Sequence, residues 1–144
     1  MITDAQRAEL IRKALSMREY SYVPYSNYAV GAAVLTEDGT VYGGCNIENS
    51  SFGATNCAER TAIFKAVSEG HRRLSAVAVC GAPVGEEPSD YAWPCGICRQ
   101  VMSEFGSADL PVIVALSETA YQEFPLSELL SHSFSADSMK SAES

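Results

Sequence analysis

Leu74-Ser75-Ala76-Val77-Ala78-Val79-Cys80 is the stretch on which the fold reading turns. Its near-continuous apolar run lacks the polar alternation of a half-solvated strand, so it reads as a strand buried on both faces. Such a strand needs helices above and below it, and the flanking segments supply them. Upstream, Ala58, Ala62, Ile63, Ala66 and Val67 recur at helical spacing behind a cap at Thr55 or Asn56. Gly70 closes that helix, and His71-Arg72-Arg73 favours its negative end. Downstream, Pro94 opens a helix expected to bury Ile97, Val101, Met102 and Phe105. The intervening residues 81–93 carry two prolines, two glycines and the acids Glu86, Glu87 and Asp90, and read as a surface loop.

Further out, Tyr28 to Leu35 and Val41 to Cys45 form a strand pair around Glu37-Asp38-Gly39-Thr40, where Asp-Gly signals a hairpin. The polar run from Asn46 to Gly53 is a loop. Residues 3–20 form an amphipathic helix capped by Thr3 with Gln6 three residues on, with Ala8, Ile11, Ala14 and Leu15 on its apolar face. Pro24 keeps residues 21–27 out of helix. Val112 to Leu116 is a further buried strand, Glu123 to Pro125 an edge strand, and Leu126 to Leu130 a short helix. Strand–helix alternation across residues 41–116 gives an α/β fold with a mixed sheet covered by helices on both faces. We expect one domain over residues 1–134 and a disordered, serine-rich tail over 135–144.

With 144 residues, 47% of them apolar and 19% charged, the chain has the composition of a globular domain with a substantial core. A formal charge of −8 argues against nucleic acid as a partner, which leaves a small molecule as the better substrate class. No signal-peptide pattern or membrane-spanning apolar run is visible, so the expected setting is the cytoplasm. Five cysteines in a reducing compartment point to metal binding or catalysis rather than to a disulfide framework.

The chemistry concentrates in Asn56-Cys57-Ala58-Glu59-Arg60 and Pro94-Cys95-Gly96-Ile97-Cys98. A cysteine in the first turn of a helix sees unpaired N–H groups and the positive end of the dipole, which favour its thiolate. Cys95 and Cys98 share one helical face, and Cys57 adds a third sulfur from another helix. Together they would hold one Zn²⁺ per chain and leave its fourth position open for water. Glu59 stands close enough to reach that water, and the Arg60 guanidinium would offset the excess negative charge of three thiolates.

Each residue also has a plainer reading. Glu59 could be only the third residue of a capping box with Asn56. Cys95 and Cys98 could be a redox pair, and Cys45 or Cys80 could close a four-cysteine structural zinc site. Neither His71 nor His132 has ligand spacing.

Cys57-Ala58-Glu59 followed by Pro94-Cys95-Gly96-Ile97-Cys98 resembles the all-cysteine form of the zinc-deaminase signature. Along nearly the whole chain the sequence is similar to the small homotetrameric cytidine deaminases. Pro24-Tyr25-Ser26-Asn27-Tyr28-Ala29-Val30-Gly31-Ala32-Ala33 matches a family stretch whose aromatic, Tyr28 here and Phe in the family, packs on the pyrimidine. Asn46-Ile47-Glu48 matches the family's Asn-x-Glu, which grips the ribose hydroxyls. The resemblance also implies base contacts from the Ala58 carbonyl and the Cys95 amide. Glu128-Leu129-Leu130-Ser131-His132-Ser133-Phe134 matches a C-terminal motif, without its Pro, whose Phe completes a neighbouring subunit's pocket. It further implies a three-layer α/β/α sandwich with about five strands, a homotetramer, and hydrolytic deamination of cytidine and 2′-deoxycytidine in pyrimidine salvage. In that role Glu59 is the proton shuttle. The alternatives are a deaminase of a free base or a nucleoside antibiotic, a nucleic-acid deaminase, and a non-enzymatic zinc or redox module.

Overall fold

The computed structural model describes residues 1–140. Its framework is one mixed sheet of five strands in the order β2-β1-β3-β4-β5. β1 (Tyr28–Thr36) is antiparallel to both neighbours, β2 (Val41–Cys45) and β3 (Leu74–Pro83), with Gly31 opposite Cys45 on one side and Cys80 on the other. β3 and β4 (Pro111–Ala115) are parallel, and β5 (Tyr121–Pro125) returns antiparallel to β4. A parallel pair requires a crossover, and α3 (Gly96–Phe105) provides it. The remaining helices are α1 (Asp4–Met17), α2 (Ala58–Ser68) and the short α4 (Leu126–Leu129) and α5 (Ala136–Lys140).

The expected three layers are present. On one face α1 buries Leu10, Ile11 and Ala14 against Ala33, Ala76, Ala78, Cys80 and Ile113. On the other, α2 and α3 bury Ala62, Ile63, Ala66, Cys98 and Met102 against Val34, Val77 and Val112. Successive β3 residues thus point into opposite cores, which is why the run from Leu74 to Cys80 shows no polar alternation. Close approach also needs glycine. A Cβ at Gly31 would collide with the Ala14 carbonyl of α1, and one at Gly44 would lie 2.6 Å from the Ala58 carbonyl oxygen of α2.

Local chemistry fixes the helix ends. Thr3 and Gln6 form the expected reciprocal capping box. α2 ends in a Schellman motif: Gly70 at φ 102° donates to the Val67 carbonyl and His71 to the Ala66 carbonyl, each at 3.0 Å.

Several expectations need correction. The N-cap of α2 is Cys57, not Thr55 or Asn56, because the Asn56 backbone is taken by a bridge to Ile47. Likewise α3 starts at Gly96, behind Cys95 as its N-cap, and not at Pro94. Ile97 is 62% exposed rather than buried. The seam of α3 runs through Cys98 and Met102, and Ile97 is turned about 100° away from Cys98. On α1 the buried residue the periodicity missed is Leu10. β3 continues to Pro83 and β5 begins at Tyr121, both beyond the expected bounds. Within the tail expected to be disordered, Ala136–Lys140 forms a single helical turn, with the Ser138 hydroxyl accepting from the Ser135 amide. Residues 141–144 lie outside the described part.

Candidate metal centre and pocket

α2 follows β2 and α3 follows β3, and those two strands run the same way because each is antiparallel to β1. Both helices therefore start at one end of the sheet. Their N-caps, Cys57 and Cys95, and Cys98 in the first turn of α3 converge there, with all three sulfurs within 4.8 Å of one another. The Cys57 and Cys95 sulfurs are 3.7 Å apart. Zinc–sulfur bonds of about 2.3 Å at a tetrahedral angle put sulfurs about 3.8 Å apart, so the donors fit zinc.

Electrostatics say the same. Cys57 is pulled down to about 5, first by its hydrogen bond with Cys98 and then, against burial, by Arg60 and Cys95. Cys98 is pushed upward by the same shared hydrogen bond and by burial. The Arg60 Nη2 donates to the Cys57 sulfur at 3.2 Å. Burial opposes the charge of Arg60, but attraction to Cys57 and Cys98 outweighs it and raises its pKa. Its Nε is buried with no hydrogen-bond partner. A cation-binding thiolate cluster with its own counter-charge accounts for the thiol shifts and for the Arg60–Cys57 hydrogen bond.

The fourth-ligand alternatives fall away among the described residues. Cys45 is buried at the end of β2 outside the cluster, and Cys80 lies in the α1-side core with its thiol directed at the Gly31 carbonyl, 3.8 Å away.

Beside the sulfurs opens a cavity of about 300 Å³ whose walls include Tyr28, Asn46, Cys57, Ala58, Glu59 and Cys95. Glu59 is only 4% exposed, and burial pushes its carboxyl up to about 7. With Cys57 as the cap, Glu59 is the second helical residue and makes no capping box with Asn56, whose side-chain amide donates to the Thr61 hydroxyl instead. That leaves a buried acid facing a cavity next to a metal-binding cluster, an arrangement suited to proton transfer.

Asn46 lines the cavity while bracing β1: its Oδ1 accepts from the Val30 amide at 3.0 Å and its Nδ2 donates to the Tyr28 carbonyl at 2.9 Å. One lone pair and one N–H remain. Glu48 is not on the cavity wall. Its carboxylate accepts from the Tyr25 and Ser26 amides and the Ser26 hydroxyl, which lowers its pKa against the opposing effect of burial. Phe134 is 63% exposed and stands outside this chain's own cavity. His71 and His132 also lie away from it. Sequence reasoning missed Val30, Val79, Ala92 and Trp93 as wall residues. Only Trp93, adjacent to Pro94, carried a local signal.

The sequence model of the cytidine and deoxycytidylate deaminase zinc-binding region matches residues 4–114. A cytidine deaminase of Halalkalibacterium halodurans is 50% identical over 133 residues, covering 92% of this chain and 97% of its own. One from Sporosarcina psychrophila is 46% identical, covering 93% and 95%. The crystal structure of cytidine deaminase from Burkholderia pseudomallei superposes with a TM-score of 0.79 at 43% identity, covering 93% of this chain and all of the other. Matched along nearly its full length in sequence and in fold, and with three thiols set for zinc, the chain belongs to the cytidine and deoxycytidylate deaminase family.

Proposed function

We propose that the protein is a zinc-dependent hydrolase that converts cytidine and 2′-deoxycytidine, with water, to uridine or deoxyuridine and ammonia. The observation that carries this is the buried Glu59 carboxyl sharing a 300 Å³ cavity with the Cys57 and Cys95 sides of a three-thiol cluster. Cys57, Cys95 and Cys98 hold the ion. When bound, the zinc supplies Lewis-acid activation of a water molecule.

Glu59 takes a proton from the attacking water and delivers it to ring N3 as oxygen adds to C4. It then carries a second proton to the amino group, which leaves as ammonia. Burial suits Glu59 to this exchange, since a carboxyl near neutral pKa both accepts and donates at physiological pH. Arg60 balances the charge of the sulfurs. Tyr28 offers its ring to the pyrimidine, Ala58 and Cys95 offer backbone groups to the base, and Asn46 uses its remaining lone pair and N–H on the sugar. Glu48 fixes the 25–26 loop and accepts from a ribose hydroxyl at the cavity edge. Phe134 completes the pocket of a neighbouring subunit in a homotetramer, a role consistent with its exposure and that of Phe52 and Ile97. Pyrimidine salvage in the cytoplasm, where thiol ligands stay reduced, is the setting.

The test is to follow the ultraviolet spectrum of cytidine in the presence of the purified zinc protein. It should move to that of uridine, with cytosine a far poorer substrate. Glu59→Gln should retain one zinc per chain and lose turnover by about 10²–10⁴. Near-normal turnover in that variant rejects the shuttle.

A further inference from the structure

The Tyr28 wall of the cavity rests on a residue that does not itself line it. Gly81 is buried in β3, opposite Val30 of β1 and two residues beyond Val79, so all three face the same side of the sheet. Val30 and Val79 form the cavity floor, while Gly81 is roofed by the Tyr28 ring and Ala92. A Cβ there would meet Tyr28 Cε1 at 2.9 Å, its hydroxyl oxygen at 3.0 Å and the Ala92 Cβ at 3.1 Å. Backbone conformation does not demand the glycine, because the positive-φ glycines among the described residues are Gly39, Gly70 and Gly85. Glycine inside a strand weakens it, so what the site gains is room. Tyrosine, longer than phenylalanine by its hydroxyl, needs that room. Burial accordingly raises the phenol's pKa.

We propose that Gly81 is a positioning residue for nucleoside binding: by lacking a side chain it seats the Tyr28 ring in a notch of β3 and so sets the width of the cavity. The inference rests on reading the cavity as a nucleoside site. With alanine at 81, ordinary contact at 3.4 Å requires the ring edge to rise by 0.4–0.5 Å (3.4 − 3.0 and 3.4 − 2.9). Tyr28 is itself a wall of the cavity, so displacing its ring changes the width left for the base. Because the clash falls on the far end of a side chain and not on backbone, the fold absorbs it.

The experiment measures steady-state kinetics with cytidine, the uridine dissociation constant by calorimetry, and zinc content. Gly81→Ala should keep one zinc per chain and a kcat within about threefold, while KM and the uridine dissociation constant each rise roughly tenfold. Tyr28→Leu, whose side chain ends short of the Cε1 and hydroxyl positions, provides the second background. There Gly81→Ala should change uridine affinity by less than about twofold. An unchanged KM in the first background, or the same loss of uridine affinity in both, overturns the proposal. Loss of kcat and zinc together also overturns it, since that marks a structural role. If the unsubstituted zinc protein neither deaminates cytidine nor binds uridine, the nucleoside reading itself fails, a distinct outcome.

Discussion

Gly44→Ala links packing to the metal centre. Gly44 lies in β2 under the first turn of α2, and an added Cβ would meet the Ala62 amide nitrogen most closely, then the Ala58 carbonyl oxygen at 2.6 Å and the Ala62 Cα at 3.0 Å. All three contacts are backbone of a regular helix, so no rotamer change relieves them. Restoring 3.4 Å at the carbonyl alone lifts the start of α2 by at least about 0.8 Å (3.4 − 2.6). Overpacking of this kind costs about 1–3 kcal/mol, partly offset by the roughly 0.5–1 kcal/mol that alanine gains over glycine in a strand. Cys57 and Glu59 travel with α2, whereas Cys95 and Cys98 belong to α3. Metal–ligand distances tolerate only about 0.2 Å, so zinc affinity should fall roughly 10–100-fold, as when supporting contacts are lost. Gly43→Ala is the matched control. Its Cβ meets the Met17 and Lys13 side chains of α1, which are flexible and on the opposite face. Urea denaturation with and without chelator, together with competition against a chromophoric zinc chelator, reads both effects. Equal zinc affinities and equal urea midpoints for the two variants would refute the claim that the α2 backbone holds the metal geometry.

Two further predictions concern the ligands and the hairpin. Cys95→Ala should bind zinc well below one per chain and unfold at lower temperature than the zinc protein, whereas Cys45→Ala should stay stoichiometric; plasma emission spectrometry and calorimetry decide, and full zinc in Cys95→Ala rejects the ligand set. Asp38 is held down to about 2, first by the Thr36 hydroxyl and then by Thr40. A depressed folded pKa stabilises above the unfolded value near 3.9 and is lost as pH falls toward 2. The Asp38 carboxyl should therefore titrate near 2 by NMR, and the urea midpoint of the wild type should fall more steeply than that of Asp38→Asn between pH 4 and 2. A carboxyl midpoint near 4 would reject it.

What could be read from the sequence was local or periodic. The Asp38-Gly39 turn, the Thr3–Gln6 box and the run from Leu74 to Cys80 each state their structure within a few residues. The clustering of Cys57, Cys95 and Cys98 was legible because ligand chemistry restricts residue type and spacing. What was hidden depends on distant chain. The cap of α2 falls on Cys57 because Ile47 occupies the Asn56 backbone, and Ile97 faces outward because Cys98 and Met102 take the seam. Likewise Gly81 looks like one more loop glycine until β3 is seen to extend past it and carry Tyr28 on top.

The topology also explains why Cys57 and Glu59 behave differently though they share one helix end. Because β2 and β3 both run antiparallel to β1, the helices that follow them start side by side. Two positive dipole ends, each equivalent to roughly half a charge, meet at one point. Cys57, the N-cap of α2, stands at such an end; its thiol is lowered first by the hydrogen bond with Cys98, and the Arg60 guanidinium adds a full charge beside it. Glu59 is only two residues further, yet its carboxyl is turned inward and 4% exposed, so loss of hydration outweighs the dipole and its pKa rises. One helix terminus thus favours the anionic form of a sulfur and, a half-turn later, the protonated form of a carboxyl.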